Sequence, residues 1–210
     1  MRQAQLTPPR AGSRAAGTRD ALLCAAREVF CASGFAEASI ADVVAGAGAS
    51  VGSLYHHFGG KAELYLALFE DYQQRQEARA VDAVRGAVAT GETDPVALFV
   101  AGSRAYLDGC WVERDLARLF LAGGGPPGFE LVARRRYREW TRRNATLLSS
   151  GSSGPEDAEP WGDALVLVLT TVVSEAGHEV AVCEDETSAG RLAGDVLELI
   201  GRIGRPPGPA

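Results

Sequence analysis

Hydrogen-bonding side chains are concentrated in one short stretch of the amino-terminal third of the chain. Ser50, Ser53, Tyr55 and His56 all donate or accept hydrogen bonds. A solvated surface would more often carry lysine and glutamate in such a stretch. Gly52 removes a side chain where a close approach to a ligand would require its absence. These residue types indicate a surface that binds a polar partner.

Two other stretches match enzyme motifs by their letters alone. Residues 48–52 fit the G-x-S-x-G nucleophile elbow, with Asp163 and His178 following in triad order, and residues 123–128 fit G-x-G-x-x-G. Both motifs require a preceding strand, whereas the sequence predicts helices. Two prolines also remove backbone amides from the second motif. The three histidines lack metal-ligand spacing. We therefore expect no enzyme, no cofactor and no metal site.

Composition limits the class of protein without fixing its function. The chain has 210 residues, 46% hydrophobic and 23% charged, enough to form a core without disulfides or metals. Its net charge of −6 excludes a uniformly basic, histone-like binder. Residues 1–61 carry six basic and four acidic side chains, and the remainder carries 15 and 23. A local DNA-binding patch in the first part remains compatible with this distribution.

The cysteines and the apolar segments point to the cytoplasm. Cys24 and Cys31 lie seven residues apart in a helical pattern, about 10 Å of rise, which is beyond disulfide reach. Residues 1–17 lack the apolar region of a signal peptide. The longest apolar run, residues 164–173, is too short to span a bilayer and is typical of a buried core helix. We expect no membrane partner.

Nearly all of the chain after residue 17 has helical periodicity, which predicts an all-α fold of about nine helices. The first helix should begin at Thr18 and end at Gly34, with Phe35 folding back onto Phe30. Ser39 should cap the second. The later helices should span residues 61–89, 95–110, 111–122, 129–148, 161–182 and 185–203.

The third predicted helix is short and has two different faces. Ser50 caps it, and it should run from Val51 to about Phe58, with Val51, Leu54 and Phe58 packing inward at i, i+3 and i+7. Two short helices joined by a tight turn and braced by a first helix describe a helix-turn-helix. Its second helix fits the DNA major groove, about 12 Å wide. A purely structural three-helix corner is the alternative.

Residues 18–69 resemble the DNA-binding domain of the TetR family of bacterial repressors. The similarity is carried by GFAEASIADVVAGAGASVGSLYHHFGGKAELYLALF, from Gly34 to Phe69. The resemblance implies an all-α homodimer that binds double-stranded, palindromic operator DNA and releases it when a small-molecule effector occupies the carboxy-terminal domain. The implied division is a flexible arm (1–17), a helix-turn-helix domain (18–62), a ligand-binding and dimerisation domain (63–204) and a disordered tail (205–210).

By position, the resemblance implies operator contacts by Ser53, Tyr55, His56 and Lys61, with Ser39 facing a phosphate. Ala41 departs from the pattern, since some members have a base-reading arginine there. Gly59-Gly60 departs as well, because members more often have a polar N-cap. The full predicted DNA-binding set is Ser39, Ser50, Val51, Gly52, Ser53, Tyr55, His56 and Lys61.

Alternative roles remain open for several of these residues. Tyr55 could pack at the domain edge, and His57 is expected to pack while His56 contacts DNA. Lys61 sits in the first turn of a helix, where the macrodipole disfavours a cation unless a phosphate binds there. Three arginines near the amino terminus have two possible roles. They form an arm that reaches DNA, or they lie in a disordered tail and have no DNA contact; they are Arg10, Arg14 and Arg19.

Six arginines lie between residues 134 and 143, interleaved with apolar residues at near-helical spacing. As a run the arginines could suggest a second nucleic-acid site, but an amphipathic helix with a solvated or salt-bridged basic face is the favoured interpretation. Attraction of an anionic ligand is the main alternative. Six residues could wall an effector pocket, although side chains at such spacing are more often ordinary core or interface. These candidates are Phe99, Tyr106, Trp111, Phe120, Trp140 and His178.

The last two predicted helices should form the homodimer interface. The helix from Ala164 to Ala176 is apolar nearly all round and needs cover on two sides, one of them a partner subunit. The last helix could instead cap its own domain. Its apolar stripe, at i, i+4, i+7, i+8 and i+11, consists of Leu192, Val196, Leu199, Ile200 and Ile203.

The leading hypothesis is therefore a ligand-responsive, DNA-binding transcriptional repressor. One alternative is a helical small-molecule binding protein without a DNA role, and another is a transcriptional activator. An enzyme in the carboxy-terminal helices is disfavoured because no nucleophile–base pair or metal constellation is visible. The sequence does not specify the effector, the operator or the regulated genes.

Overall fold

The computed structural model describes residues 11–121, 123–149 and 162–204, with side chains described from residue 16 onward and not at residue 121. These residues form nine helices and no strand, which confirms the all-α prediction. In chain order the helices are α1 (Ala11–Glu37), α2 (Ile40–Gly46), α3 (Val51–Phe58), α4 (Lys61–Ala89), α5 (Pro95–Val112), α6 (Arg114–Leu121), α7 (Phe129–Ser149), α8 (Gly162–Val182) and α9 (Glu186–Ile203).

Two predicted helix boundaries are wrong. Helix α1 begins at Ala11, seven residues before Thr18, so Thr18 lies inside the helix and is not its N-cap. Helix α5 continues to Val112 and α6 starts at Arg114. The break falls at Glu113, whose backbone leaves the helical region (φ −113°, ψ 38°). Apolar periodicity does not mark such a break, since it depends on one residue's backbone.

The helix ends near residues 34–50 follow their local sequence. Gly34 has φ 72° and interrupts α1, a conformation that glycine adopts without a Cβ clash. The Phe35 ring then lies 6.2 Å from the Phe30 ring, as predicted. Ser39 Oγ accepts a hydrogen bond from the Ala41 amide, and Ser50 Oγ accepts one from the Ser53 amide. Both serines are N-caps, which confirms those predictions.

The chain divides into two compact units, and the division falls inside α4, between Glu70 and Asp71. The first unit contains the described residues up to Glu70 together with residues 124–126. Its core is formed by apolar side chains of all four helices. Burial raises the pKa of Tyr65, one of these, to about 12. The most buried core side chains are Leu22, Ala26, Phe30, Val43, Leu54, Leu64 and Tyr65.

The second unit is built around α8, which packs against α5, α6, α7 and α9. By length and composition alone, α8 is the one helix of the described residues apolar enough to span a membrane, and 44% of its most apolar window is buried inside the protein. Its buried face includes Leu169, Val173 and Val180, and its opposite face exposes Leu167, Val168 and Val172. The helix therefore has one apolar face in the core and one that no other described residue covers.

Candidate nucleic-acid interface

Helices α2 and α3 are joined by a tight turn whose backbone geometry depends on glycine. Gly48 has φ 59°, in the left-handed region. Around it, the Ala47 amide donates to the Val43 carbonyl and the Ala49 amide donates to the Val44 carbonyl. Val43 and Val44 are buried. The turn thus fixes the angle at which α3 leaves α2, as a helix-turn-helix requires.

Helix α3 has a buried face and an exposed face, and the predicted sorting holds for most of its residues. Leu54 and Phe58 are 0% and 8% exposed. Tyr55 is 52% exposed, and Gly52 and His56 are also exposed. His57 is half-buried, with its ring centroid 5.3 Å from that of His56. Tyr55 and His56 are therefore the long hydrogen-bonding side chains on the exposed face of α3.

The inward packing predicted for Val51 is wrong, since this side chain is 47% exposed. Val51 is the first residue of α3, directly after the cap Ser50, one turn before the buried Leu54. An exposed valine methyl is suited to contact a thymine methyl group. Ser53 is half-buried, and its backbone amide donates a hydrogen bond to Ser50 Oγ, while Ser50 itself is exposed.

The Gly59-Gly60 departure has a local physical cause. Gly59 ends α3 with φ 83° and donates its amide to the Tyr55 carbonyl, an end that favours glycine. A Cβ on Gly60 would lie 3.1 Å from Glu63 Oε2 and 3.8 Å from the Tyr55 ring. The Tyr55 ring would tolerate such a Cβ, and a larger residue at position 60 would require only a small shift of the flexible Glu63 carboxylate.

Lys61 already has partners within its own unit. Its Nζ donates to the Ala36 carbonyl at 2.8 Å and lies 4.8 Å from the centroid of the Phe35 ring. The sequence argument that folding alone does not favour this lysine is therefore wrong, because its ammonium binds a carbonyl in the last turn of α1. An ammonium has three donors, so the contact with Ala36 leaves donors for a phosphate. Glu63 supplies an acidic side chain to the first turn of α4.

The predicted amino-terminal arm is only partly described. Arg19 is not in an arm: it lies in α1, with its guanidinium carbon 5.3 Å from the centroid of the Phe58 ring. Arg14 also falls within the bounds of α1, and Arg10 lies outside the described residues. Ser39 is half-buried and Ala41 is exposed, so α2 offers no long side chain at the position of the family's base-reading arginine.

The predicted pocket residues occupy different environments in the second unit. Phe99 and Phe120 are 3% and 8% exposed and belong to the apolar interior. Tyr106 packs on Trp140, with ring centroids 5.0 Å apart. The Arg114 guanidinium stacks on Trp111 at 4.4 Å, and His178 Nδ1 lies 3.7 Å from Glu175. A separate groove of about 560 Å³ between α5 and α9 contains none of the six; it is lined by Val96, Ala97, Val100, Leu197, Glu198, Gly201 and Arg202.

The predicted dimer stripe on α9 is split between the core and the surface. Ile200 is 1% exposed and packs in the core of its own chain, so its assignment to a subunit interface is wrong. Leu192 and Val196 are half-buried against that core. Leu199 and Ile203 are 56% and 57% exposed. The cause is helical geometry, because the face that meets α5 and α8 is the neighbouring row of small and apolar residues: Ala189, Ala193, Leu197 and Ile200.

An ion-pair cluster in the second unit was not predicted from the sequence. The Glu113 carboxylate is only 5% exposed and accepts a hydrogen bond from Arg75 at 2.9 Å and one from Arg79 at 2.5 Å. Burial disfavours the charged carboxylate, but these two hydrogen bonds outweigh it and hold the pKa of Glu113 below its usual value. The arginines come from α4 and lie more than thirty positions away, so no local pattern pairs them with Glu113.

Cys110 is the buried thiol of the same unit. Tyr72 Oη lies 3.9 Å from its Sγ, and Gln76 Nε2 lies 4.0 Å away. Burial raises the pKa of the Cys110 thiol to about 11. The thiolate is therefore disfavoured at neutral pH, and the site is poorly suited to nucleophilic catalysis. The G-x-S-x-G match is likewise preceded by α2, not by the strand that an elbow requires.

The first unit is similar in sequence to known bacterial transcriptional regulators. Residues 22–68 match the family described as bacterial regulatory proteins, tetR family. The chain is 39% identical over 69 residues to the HTH-type transcriptional regulator UidR of Escherichia coli, covering 33% of this chain and 35% of that protein. It is 38% identical over 97 residues to the HTH-type transcriptional activator FasR of Mycolicibacterium smegmatis, covering 46% and 41%.

These curated matches span well under half of each relative, and a solved structure extends the similarity in fold. A TetR-like transcriptional regulator from Rhodococcus sp. RHA1 superposes with a TM-score of 0.64 at 25% identity, covering 94% of this chain and 98% of that one. The described nine-helix arrangement is thus similar to a known architecture over nearly its whole length.

Proposed function

We propose that this chain is a member of the TetR family of bacterial regulators, and that it binds double-stranded operator DNA and regulates transcription. The observation that carries the proposal is the sorting of α3. Leu54 and Phe58 anchor the helix in the core, while Tyr55 and His56 face outward beside a helix-turn-helix turn. A helix held in this way can enter the major groove with its polar face towards base edges and phosphates.

Each exposed group has a role that follows from its chemistry. His56 reads a base edge, because imidazole donates and accepts hydrogen bonds. The Tyr55 hydroxyl and the Lys61 ammonium bind phosphate oxygens, which position the protein without reading sequence. Ser39 adds a phosphate contact at the start of α2. Val51 and Gly52 allow the start of α3 to approach the groove closely.

A homodimer supplies the second half-site. The uncovered face of α8 carries Leu167, Val168 and Val172, and α9 adds Leu199 and Ile203. Exposed apolar side chains on two adjacent helices favour burial against the same helices of a second copy. Two-fold pairing would place two copies of α3 one helical turn of DNA apart, or a multiple of it.

The regulatory outcome is proposed from the family. A small-molecule effector binds among the helices of the second unit and releases a repressor from its operator. FasR is named an activator, so activation by this chain is the second candidate outcome. We place the protein in the cytoplasm, with no catalytic role, no cofactor and no membrane partner.

Selection of duplexes from a random DNA pool by the full-length chain tests the proposal. The expected result is enrichment of one palindromic sequence, which a double variant lacking Tyr55 and His56 side chains no longer enriches. A matched control replaces Val81 and Val88, two exposed side chains of α4 in the second unit, and retains the enrichment. Failure of the wild-type chain to enrich any sequence would favour the alternative of a ligand-binding protein without a DNA role.

A further inference from the structure

Helix α7 carries six arginines, and the structure divides them into two groups. Arg136 pairs with Glu139 on the same helix, and Arg143 pairs with Glu77 of α4. The others are exposed and form no ion pair with any residue that the structure describes. We call this second group the arginine face; it consists of Arg134, Arg135, Arg138 and Arg142.

The arginine face is a compact strip of one charge. At 3.6 residues per turn its four members fall within an arc of about 100°, and successive members of the row 134, 138 and 142 are about 6 Å apart along the helix. Leu131 and Ala145 lie in the same arc, whereas Glu130 and Glu139 lie about 40° beyond its two edges. Among the described residues neither glutamate forms an ion pair with a member of the strip, and Glu139 pairs with Arg136 instead.

Folding of α7 does not account for this arrangement. Like charges at i and i+4 destabilise a helix by a few tenths of a kcal/mol each. The macrodipole favours cations only in the last turn, and the last turn of α7 has no basic residue. Residues 62–210 carry 15 basic and 23 acidic side chains, so the strip is a local excess of positive charge on an acidic part of the chain. A polyanionic partner would make the electrostatic energy of these arginines favourable.

The chemistry of the strip favours nucleic acid over the other polyanions. A guanidinium presents a planar fork that binds two oxygens of one phosphate. A protein partner would require an apolar or aromatic centre, and the only large apolar side chain in the arc is Leu131. A helix lying on a membrane needs a free apolar face, whereas the opposite side of α7 packs against the core through Trp140, Leu147 and Leu148.

We propose that the arginine face binds the phosphate backbone of duplex DNA without regard to base sequence, as a contact additional to that of α3. This inference rests on the proposed function, which brings the protein to DNA. The contact would raise affinity for DNA in general and leave discrimination between operator sequences unchanged.

The test is titration of the full-length chain with a duplex that lacks the operator, over about 50 to 200 mM salt. The variant is Arg138→Gln/Arg142→Gln, and the matched control is Arg85→Gln/Arg104→Gln, which removes two exposed arginines of α4 and α5. The salt slope of log affinity should fall in magnitude by about 2 in the variant, since each phosphate contact contributes about 0.9. The control should match the wild type, and circular dichroism checks that both variants fold.

A variant that binds this duplex with the control's affinity and slope overturns the inference. Arginine-dependent binding to phosphatidylserine vesicles or to polyglutamate, with DNA binding unchanged, also overturns it and assigns the strip to another partner. Selection of an operator separates this failure from that of the proposed function. If the wild type enriches an operator and the variant behaves as the control, only the arginine face loses its role.

Discussion

Lys61 shows how one side chain serves both the fold and the proposed DNA contact. Replacing it with alanine removes the hydrogen bond to the Ala36 carbonyl and should lower the free energy of unfolding by about 1 kcal/mol. If the remaining donors bind a phosphate, operator affinity should weaken equally on all sequences, and the salt slope should fall by about 1. Chemical denaturation and fluorescence anisotropy measure the two effects.

The conservative variant Lys61→Arg is the control, because it keeps the charge and can reach both partners. Unchanged affinity and slope in Lys61→Ala, with reduced stability, would leave this lysine only its contact with α1.

His56 should behave differently from the residues that contact phosphates. We expect His56→Ala to alter discrimination at one base pair by about 1–3 kcal/mol, as the loss of a good base contact does. Tyr55→Phe is the matched comparison, since it removes one hydroxyl and should weaken all sequences alike. Binding to a panel of single-base operator variants distinguishes the two. If His56→Ala weakens binding to all operator variants equally, this histidine contacts the DNA phosphate backbone and not a base.

Local sequence was sufficient for some residues of the interface and not for others. The caps Ser39 and Ser50 were predictable because each bonds an amide within three positions. Leu54 and Phe58 followed from helical spacing. The Lys61–Ala36 hydrogen bond joins residues 25 positions apart, so it has no local signal, and helical spacing did not predict that Val51 is exposed.

At the scale of elements, Glu113 fastens the α5–α6 break to α4. The free energy of unfolding should drop by about 1–3 kcal/mol in Glu113→Gln. The substitution removes the carboxylate that pairs with two arginines, and it introduces a buried amide N–H group that has no acceptor among them. The upper figures for buried pairs do not apply, since both arginines are about one-third exposed. The control Asp82→Asn breaks the exposed pair with Arg85 and should cost almost nothing.

The same cluster gives stability a pH dependence of defined sign. The pKa of Glu113 is lower in the folded chain than its ordinary value of 4.5, so its contribution is fully present above that pH. It is lost as pH falls below 4.5 towards the folded-state pKa. Denaturation curves between neutral and acidic pH should show this loss for the wild type and a smaller one for Glu113→Gln. Parallel pH profiles would contradict the assignment.

Helix periodicity predicted the number and type of the elements better than their faces. The nine helices of the described residues follow from apolar spacing and from the predicted caps Ser39 and Ser50. On α9 two apolar rows lie side by side, and spacing alone does not say which one meets the core. The structure assigns the row containing Leu197 and Ile200 to the interior, which leaves Leu199 and Ile203 outside.

At the scale of the whole molecule, the proposed dimer predicts the effect of surface charges. Leu167→Glu/Leu199→Glu should yield a folded monomer at micromolar concentration, since an unpaired carboxylate in an interface costs about 3–5 kcal/mol. Both positions are more than half exposed, so the fold of each subunit should persist. Val196→Glu is less informative because Val196 packs partly against its own core.

Val112→Glu is the control, as it charges an exposed valine of α5. Sedimentation velocity should show a dimer for the wild type and for this control. A dimer that survives Leu167→Glu/Leu199→Glu would move the interface to another face.

The central claim is that two copies of α3 recognise a palindromic operator. Its most direct test is to measure binding of the full-length chain to the selected palindrome, to one isolated half-site and to the palindrome with one base pair inserted between its halves. We predict tight binding to the first and much weaker binding to the other two, because two half-sites must face the dimer in phase with the helical turn. Equal affinity for all three duplexes would contradict the account.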